Sequence, residues 1–490
     1  MNEAPRIDGR TLQLPRNRGL YYGGAWHEPH GGYVDTYSPS TGANLGPTAD
    51  ADAADVAAAV EAARAAFKEW RRVAPSVRGD ALREVAAVLR ANKEELALLD
   101  AVDCGNPVKA LMRDVDIAAQ LVEYFAGLVY ELRGATIPMG EGVVNMTVRE
   151  PFGVCARIVA YNHPIMFTAS RFAAPVGAGN TVIMKPPVQA PLSAYRLAEL
   201  IDGIFPPGVF NVLSGGQACG EALVAHPKVP RITLIGSIPT GRAIARAAAE
   251  QLKHVSLELG GKNALIIYPD ADIDRAIAGA VKGMAFTWCG QACSSTTRLF
   301  LHEDIHDRVL EGVLEGVKAY VPGDPTDPAT TMGAIVSKAQ YEKIMSYVEL
   351  GQAEGARLLA GGKRPAEGSL DDGYFIEPTV FGDVTMDMRI AREEIFGPVL
   401  SVLRWRDEDR MFDDVNSVEY GLAAGIYTQN LATAHTAASR VEAGYVWVNN
   451  AVSHFFPAPF GGFKQSGNNK EECFEELVSY TQTKNVYITL

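Results

Sequence analysis

The sequence lacks several features that would place it in a specialised class of protein. Its 490 residues include only six cysteines, with no C-x-x-C motif and no histidine at ligand spacing from Cys289 and Cys293, which argues against zinc and disulfide frameworks. No apolar run of about 18 residues occurs, and the N-terminus has no apolar signal core, so neither a membrane span nor export is predicted. We expect a cytoplasmic protein with free thiols and no metal site.

Positive charge is also sparse. Lys and Arg number 45 against 58 Asp and Glu, which gives a formal net charge of −13, and no dense Lys/Arg tract occurs. This balance argues against a nucleic acid or an anionic membrane as a partner. The hydrophobic content of 47% is ordinary for a globular protein. A chain of this length exceeds one hydrophobic core, so two or three domains are expected.

Helical periodicity dominates the first quarter of the chain. Five apolar residues recur at spacings of four and three, which places them on one helix face: Val56, Val60, Ala63, Phe67 and Trp70. Further helical patterns end at Gly105 and cover roughly 111–132. From about residue 150, Val- and Ile-rich runs of strand length alternate with helical patterns, which predicts a mostly parallel sheet. The alternation restarts after about residue 260, which predicts a second α/β domain.

The tetrapeptide GQAC occurs twice, at Gly216–Cys219 and at Gly290–Cys293. The first copy follows a strand and a Gly-rich loop, and no base or oxyanion donor is near it, so a plain connection into a helix is the simpler interpretation. The second copy has small residues around Cys293, which permit a nucleophilic thiol if the fold delivers a base. Cys289 is predicted to pack in the core, with a redox link to Cys293 as the alternative.

Three other segments have candidate chemistry. Glu258 lies in the apolar frame LELGG, which suits a general base of raised pKa, although a solvent-facing Glu at a strand start is the alternative. Asn162 follows the apolar run RIVA, where an amide donates to an oxyanion or simply forms a turn. The loop Gly236–Gly241 has the character of a phosphate-binding turn but is not G-x-G-x-x-G.

The order of these motifs decides between the alternatives. They are YNHP (161–164), KPP (185–187), GSIPTG (236–241), ELGGK (258–262), GQAC (290–293), EEIFGPV (393–399) and PFGGFKQSG (459–467). The series resembles the NAD(P)-dependent aldehyde dehydrogenase superfamily from about residue 20 to the C-terminus. The resemblance implies an α/β fold with two Rossmann-type parallel-sheet domains and a small β oligomerisation element. The implied ranges are 1–130 and 150–259 for the cofactor-binding domain, 260–465 for the catalytic domain, and 131–149 and 470–490 for the oligomerisation element.

The resemblance also implies roles for single residues. Cys293 matches the nucleophile, Glu258 the base that activates the deacylating water, and Asn162 the oxyanion donor. The positions that match cofactor contacts are Lys185, Gly215, Gly236, Ser237, Gly241, Glu394 and Phe396. A small-molecule aldehyde is the expected partner, and a homodimer or homotetramer the expected assembly. Because Glu258 is present, hydrolysis of the thioester is favoured over acyl transfer to coenzyme A.

The sequence departs from the family's pattern at two places. Val188 stands where the family often has a ribose-binding Glu, so NAD with tolerance of NADP is expected. The aromatic residues that usually flank the oxyanion Asn are replaced by Tyr161 and His163. The predicted substrate pocket consists of Tyr161, His163, Met166, Phe167, Trp288, His454, Phe455 and Phe456. These side chains favour an aromatic or medium-length apolar aldehyde; simple packing, a semialdehyde substrate and a catalytically silent binding protein are the alternatives.

Overall fold

The computed structural model describes residues 6–7, 10–366 and 370–490. Residues 1–5, 8–9 and 367–369, which fall within the predicted domain ranges 1–130 and 260–465, lie outside the described residues.

The N-terminal part starts with short strands and continues as four helices. The elements are β1 (Arg6–Ile7), β2 (Arg10–Thr11), β3 (Leu20–Tyr22), β4 (Ala25–His27), β5 (Tyr33–Tyr37), β6 (Asn44–Ala49), α1 (Ala53–Trp70), α2 (Pro75–Ala91), α3 (Lys93–Cys104) and α4 (Val108–Leu128). A capping box formed by Asp52 and Asp55 starts α1, and α3 ends at Gly105, whose φ of 86° is left-handed. The predicted helices are confirmed, although the one expected over 111–132 is observed at Val108–Leu128.

The middle of the chain alternates strands and helices, as its sequence predicts. The elements are β7 (Thr136–Ile137), β8 (Val143–Pro151), β9 (Val154–Ile158), α5 (Pro164–Ser170), α6 (Ala173–Gly177), β10 (Thr181–Lys185), α7 (Leu192–Leu200), β11 (Phe210–Val212), α8 (Gln217–Ala225), β12 (Arg231–Gly236), α9 (Ile238–Ala249) and β13 (His254–Leu259). Five of these strands, β9 to β13, form a seven-stranded sheet together with β3 and β4, in the order β13-β12-β9-β10-β11-β3-β4. Because β9 to β13 are parallel, their carboxyl ends share one edge of the sheet.

The second half of the chain forms another seven-stranded sheet, in the order β16-β17-β18-β15-β14-β20-β21. The elements are β14 (Ala264–Ile267), α10 (Ile273–Gly283), β15 (Arg298–His302), α11 (His306–Gly316), α12 (Lys338–Ala353), β16 (Arg357–Ala360), β17 (Thr379–Gly382), α13 (Arg389–Arg392), β18 (Val399–Trp405), α14 (Glu408–Asn416), β19 (Tyr420–Gly421), β20 (Ala423–Tyr427), α15 (Leu431–Arg440), β21 (Tyr445–Val448), β22 (Phe463–Lys464), α16 (Phe474–Ser479) and β23 (Thr481–Thr489). The predicted α/β class with two parallel-sheet halves is confirmed.

A third, antiparallel sheet has the strand order β23-β8-β7. Its longest ladder pairs β23 with β8 from Thr481↔Pro151 to Thr489↔Val143. β8 therefore runs past residue 150, where the sequence places the start of the cofactor-binding range. Among the described helices, none has both the length and the apolar character to cross a bilayer.

Two buried carboxylates of α3 fix the start of neighbouring helices. Asp100 accepts a hydrogen bond from the backbone N–H of Ile165 at 2.9 Å, and Asp103 accepts one from Leu192 at 2.8 Å. Both side chains are fully buried, and burial raises the pKa of Asp100 to about 7. Because Ile165 lies in the first turn of α5, Asp100 helps to fix the segment that contains Asn162.

Candidate active site

One large cavity brings together most of the predicted catalytic and substrate-pocket residues. It has a volume of about 1020 Å³, and Cys293 and Glu258 both line it. Seven of the eight predicted pocket residues also line it: His163, Met166, Phe167, Trp288, His454, Phe455 and Phe456. Tyr161 does not line this cavity; its ring packs edge-on against Phe396, with the centroids 5.9 Å apart. Tyr161 therefore lies on the side of the predicted nicotinamide-contacting residues.

Cys293 lies in the loop between α10 and β15. Its carbonyl oxygen accepts a hydrogen bond from Asn263 Nδ2 at 2.7 Å, which fixes the loop. Burial raises the pKa of the Cys293 thiol well above its usual range, and the nearby Glu258 carboxylate raises it further. The thiol is thus held neutral beside the group that the sequence assigns as a base.

Glu258 lies near the carboxyl end of β13 and is 5% exposed. Burial raises the pKa of Glu258 well above its usual range, and Glu471 adds to this effect. The Cys293 thiol is close enough to influence the pKa of Glu258, and Glu258 Oε1 has no hydrogen-bond partner among the described residues. A carboxyl group with a raised pKa and a free oxygen suits proton transfer from a water molecule near neutral pH.

Asn162 lies in the turn between β9 and α5 and is 3% exposed. Its carbonyl oxygen accepts a hydrogen bond from Asn106 Nδ2 at 2.9 Å, so the backbone of this turn is fixed from the start of α4. Asn162 is not among the residues that line the cavity, whereas the next residue, His163, is.

Glycines allow three motifs of the sequence to meet behind Cys293. A Cβ at Gly260 would collide with the carboxylate of Glu394, and one at Gly261 would lie 2.9 Å from the Cys293 carbonyl oxygen. Gly290 has a φ of 66°, and a Cβ there would collide with the carbonyl of Gly397. ELGGK, the second GQAC and EEIFGPV are therefore in direct contact, and their glycines make that contact possible.

The predicted cofactor residues follow the carboxyl edge of the first sheet. Lys185 ends β10, Gly215 follows β11, Gly236 ends β12, and Ser237 caps the twelve-residue helix α9. Burial lowers the pKa of Lys185, and no hydrogen bond to its Nζ is made by the described residues. A Cβ at Gly241 would lie 2.7 Å from a Leu259 methyl group, so glycine allows α9 to pack on β13. Ser237 accepts a hydrogen bond from the Thr240 N–H at 3.4 Å, and the positive end of the helix dipole at this start favours an anionic group such as a pyrophosphate.

Glu394 and Phe396 lie in one loop before β18. Glu394 Oε1 accepts a hydrogen bond from the Gly261 N–H at 3.0 Å, and burial raises the pKa of this carboxyl group. Gln340 Nε2 donates to the carbonyl oxygens of residues 395 and 396, at 3.0 and 2.8 Å. Phe396 has a φ of 56°, which is strained for a residue with a side chain.

The two pocket histidines are each held by a buried carboxylate. His163 Nδ1 is 2.7 Å from Asp114 Oδ2, and His454 Nδ1 is 3.3 Å from Glu472 Oε2. The His163 ring also packs against Trp288 at a centroid distance of 5.4 Å. With Nδ1 occupied, Nε2 is the ring nitrogen left for a ligand in each histidine.

A buried ion network lies next to Glu258. Arg171 Nη2 donates to Glu472 at 2.7 Å, and Arg157 Nη1 donates to Glu471 at 3.0 Å. Burial alone would raise the pKa of Glu472, but Arg171 and His454 outweigh it and lower that pKa to about 2. Glu472 therefore stays charged and holds His454.

One wall of the cavity was not predicted from the sequence. This wall is a face of α4, and it contributes Arg113, Asp114, Ile117, Gln120, Glu123 and Tyr124. The spacing of residues 113, 117, 120 and 124 marks a helix face, but it does not tell which face meets a ligand. No sequence motif marks an arginine at the substrate, whereas in the structure Arg113 and Arg171 both line the cavity.

The remaining cysteines are buried. Cys219 is fully buried in α8, and burial raises its pKa to about 11. Cys289 is fully buried as well, with its thiol 3.5 Å from the Ala334 carbonyl oxygen, and burial raises its pKa to about 12. Within the described part of the chain, no cluster of three or more His, Cys, Asp or Glu side chains is arranged to hold a metal ion.

Comparisons with known proteins show the family to which the chain belongs. The model of the "Aldehyde dehydrogenase family" matches residues 26–486. "Aldehyde dehydrogenase tropH" from Talaromyces stipitatus is 50% identical, and the alignment covers 99% of this chain and 96% of that protein. "Betaine aldehyde dehydrogenase" from Mesorhizobium japonicum is 41% identical, with 95% and 97% covered. The solved NAD+ complex of an aldehyde dehydrogenase from Bacillus cereus superposes with a TM-score of 0.94 at 37% identity, covering 97% of both chains.

Proposed function

The chain belongs to the aldehyde dehydrogenase family and is an NAD(P)-dependent aldehyde dehydrogenase, and we propose that it oxidises its aldehyde through a covalent bond to Cys293. The observation that carries this proposal is that Cys293 and Glu258 line the same cavity. The product is a carboxylic acid, released by hydrolysis rather than by acyl transfer.

The first steps use Cys293 and Asn162. The Cys293 thiolate adds to the aldehyde carbon, a C–S bond forms, and the carbonyl π electrons move to oxygen. The Cys293 backbone N–H and the Asn162 amide, from a position just behind the cavity lining at His163, are proposed to donate to this oxyanion. One such donor typically contributes about 3–4 kcal/mol. A bound NAD(P)+ would supply the hydride acceptor, and loss of a hydride from the substrate carbon leaves a thioester on Cys293.

Glu258 completes the reaction. It takes a proton from a water molecule, whose oxygen adds to the thioester carbonyl; the C–S bond then breaks, and Cys293 leaves as the thiolate. The raised pKa of Glu258 supports this role, because it brings the carboxyl group closer to the pKa range of an effective base at neutral pH. One oxygen of the product acid therefore comes from water and the other from the aldehyde, and the two electrons leave with the cofactor.

The residues along the first sheet fit a dinucleotide. Ser237, at the start of α9, is proposed to contact the pyrophosphate together with Gly236 and Gly241. Lys185 is proposed to contact the adenosine ribose, near Gly215. Glu394 and Phe396 are proposed to contact the nicotinamide half. Val188 is 42% exposed and offers the ribose no carboxylate, so we propose NAD with tolerance of NADP. The ratio of kcat/KM values for the two cofactors tests this, and a hundredfold preference for NAD would contradict it.

The substrate is proposed to be an aromatic or medium-length apolar aldehyde. The walls formed by Met166, Phe167 and Trp288 support this choice. A panel that includes benzaldehyde and hexanal, followed at 340 nm with both cofactors, is the test. Acid formation that is independent of coenzyme A is expected; no turnover of any aldehyde, or turnover that requires coenzyme A, would contradict the proposal.

The protein is proposed to form a homodimer or homotetramer through the third sheet, in the ranges 131–149 and 470–490. Exposed apolar side chains on β7 and β23 support this, among them Ile137, Tyr487 and Ile488.

The ranges 1–130 with 150–259 are proposed as the cofactor-binding domain, and the range 260–465 as the catalytic domain. The six free cysteines support a reducing compartment, and we propose the cytoplasm.

A further inference from the structure

The α4 wall of the cavity carries an arginine without a partner in the protein. Arg113 is exposed and lines the cavity. Ile117 and Gln120, on the same helix face, line the cavity as well. Its guanidinium group makes no hydrogen bond or ion pair with any residue that the structure describes. An arginine of this kind presents its full set of donors to whatever enters the cavity.

The carboxylates of the same cavity do not neutralise this charge. Each of the five already has a partner in the protein. The pairs are Asp114 with His163, Glu123 with Arg90, Glu258 with Cys293, Glu471 with Arg157, and Glu472 with Arg171. None of these carboxylates forms an ion pair or a hydrogen bond with Arg113 among the described residues, so its guanidinium group remains available to a ligand.

A second cation strengthens the effect. Lys282 of α10 lines the cavity, and its Nζ donates to Ser453 Oγ at 3.1 Å. It forms no ion pair with the described residues. In a chain with a net charge of −13, two unneutralised cations in one cavity create a local field that favours anions. The planar guanidinium group matches a carboxylate with two parallel hydrogen bonds.

Arg113 is also connected to the reacting end of the cavity. The adjacent Asp114 contacts His163, which follows Asn162 in the chain. This contact holds the start of α4 beside the segment of the proposed oxyanion donor. A cavity of about 1020 Å³ exceeds the needs of a small aldehyde, so a longer molecule with its aldehyde at Cys293 has room to place its far end at Arg113.

We propose that the substrate aldehyde carries a carboxylate at the end away from the aldehyde group, and that Arg113 binds this carboxylate. The apolar walls then hold the body of the molecule, and Lys282 adds attraction at longer range. This inference rests on the proposed function and specifies its substrate class as a carboxylated aldehyde with an apolar, for example aromatic, spacer.

The test compares 4-carboxybenzaldehyde with its neutral methyl ester, methyl 4-formylbenzoate. The measured quantity is the ratio of kcat/KM for the acid to kcat/KM for the ester. In the unchanged enzyme we expect a ratio of at least about 10, since a hydrogen-bonded charge discriminates by roughly 10- to 100-fold. Arg113→Met is expected to lower this ratio by about 10- to 100-fold. Arg113→Lys is expected to lower it by less, because lysine keeps the positive charge but cannot donate two parallel hydrogen bonds.

Lys109→Met is the matched control. Lys109 is an exposed cation one turn earlier on α4 that does not line the cavity. Its replacement removes the same charge from the same helix and is expected to leave the ratio unchanged. A ratio near 1 in the unchanged enzyme, or an equal loss of the ratio in Lys109→Met, would overturn the assignment of Arg113.

A binding measurement separates this inference from the proposed function. Terephthalate, the acid formed from 4-carboxybenzaldehyde, is titrated calorimetrically into Cys293→Ala, with and without Arg113→Met. A Kd weakened at least about 10-fold by Arg113→Met supports the carboxylate site even if no aldehyde is turned over; an unchanged Kd overturns it. Turnover of the ester without a preference for the acid contradicts the inference alone.

Discussion

The two GQAC copies have the same sequence, but the burial of their Gln and Cys side chains is reversed. In the first copy Gln217 is exposed and Cys219 is fully buried, whereas in the second Gln291 is 1% exposed and Cys293 reaches the cavity. The first copy opens a helix, so its cysteine turns towards the core of the first half of the chain. The second is an irregular loop. The chain around the tetrapeptide, and not the tetrapeptide itself, decides which side chain meets a substrate.

The two copies also differ in backbone strain. Ala285 and Cys289, just before the second copy, and Phe396, in the loop behind it, all have φ values between 53° and 56°. Residues 217–219 of the first copy contain no such conformation among the described residues. Strain of this kind costs about 1–3 kcal/mol per residue and persists where the surroundings fix it, which is typical of functional sites.

The largest expected effect comes from replacing the cysteine of each copy. Cys293→Ala removes the proposed nucleophile and is expected to lower kcat by at least about 10⁴-fold. Cys219→Ala and Cys289→Ala delete buried thiols whose pKa values are raised by burial, so they are expected to keep kcat within about threefold. The measurement is the steady-state rate of NADH formation. A comparable loss in Cys219→Ala would contradict the distinction between the copies.

The glycines of the two copies provide a second matched pair. Gly290 has a φ of 66° and touches Gly397, whereas Gly216 has a φ of −77°, and a Cβ there would first meet Asp50 Oδ1 at 3.6 Å. Gly290→Ala is expected to displace the loop of Cys293 and lower kcat by about 100-fold, because a shift of about 1 Å is enough for such a loss.

Gly216→Ala serves as the control for that substitution. Gly216 is the N-cap of α8, where Ala is less favourable than Gly, so a loss of about 1 kcal/mol or less in stability is expected. The rate should be unchanged. Thermal unfolding and the steady-state rate of both variants are measured together, and equal effects at Gly216 and Gly290 would show that the close contact with Gly397 is not what positions Cys293.

Much of the fold was predictable from the sequence because its signals are local. Apolar periodicity indicates α1, and Val- and Ile-rich runs indicate β10 and β12. The placement of side chains in the cavity was less predictable. Tyr161 lies beside Phe396 instead of lining the cavity, because the direction of a turn after a strand depends on what packs against it. Arg113 was missed because the docking of α4, which no local pattern encodes, decides its role.

The smallest expected effect concerns the proton shared by Cys293 and Glu258. Burial and the negative charge of Glu258 both raise the pKa of Cys293, so the reactive thiolate is scarce at neutral pH and its fraction increases as the pH rises. Glu258→Gln removes the negative neighbour and lowers the pKa of Cys293, which moves the thiolate population to lower pH. Since a thiolate of lower pKa is also a weaker nucleophile, alkylation by iodoacetamide at pH 8 should accelerate only about three- to tenfold.

The measurement is the alkylation rate from pH 6 to 10, with the modified peptide identified by mass spectrometry. Cys293 is the partly exposed cysteine and the other five are buried, so modification should be confined to the second GQAC copy and disappear in Cys293→Ala. Cys219→Ala, the matched change in the first copy, should leave the pH profile unchanged. If Glu258→Gln instead moves the profile to higher pH, the carboxyl group stabilises the thiolate rather than repelling it. In that case, repulsion by the Glu258 carboxylate would not explain why the Cys293 thiol stays protonated in the absence of substrate.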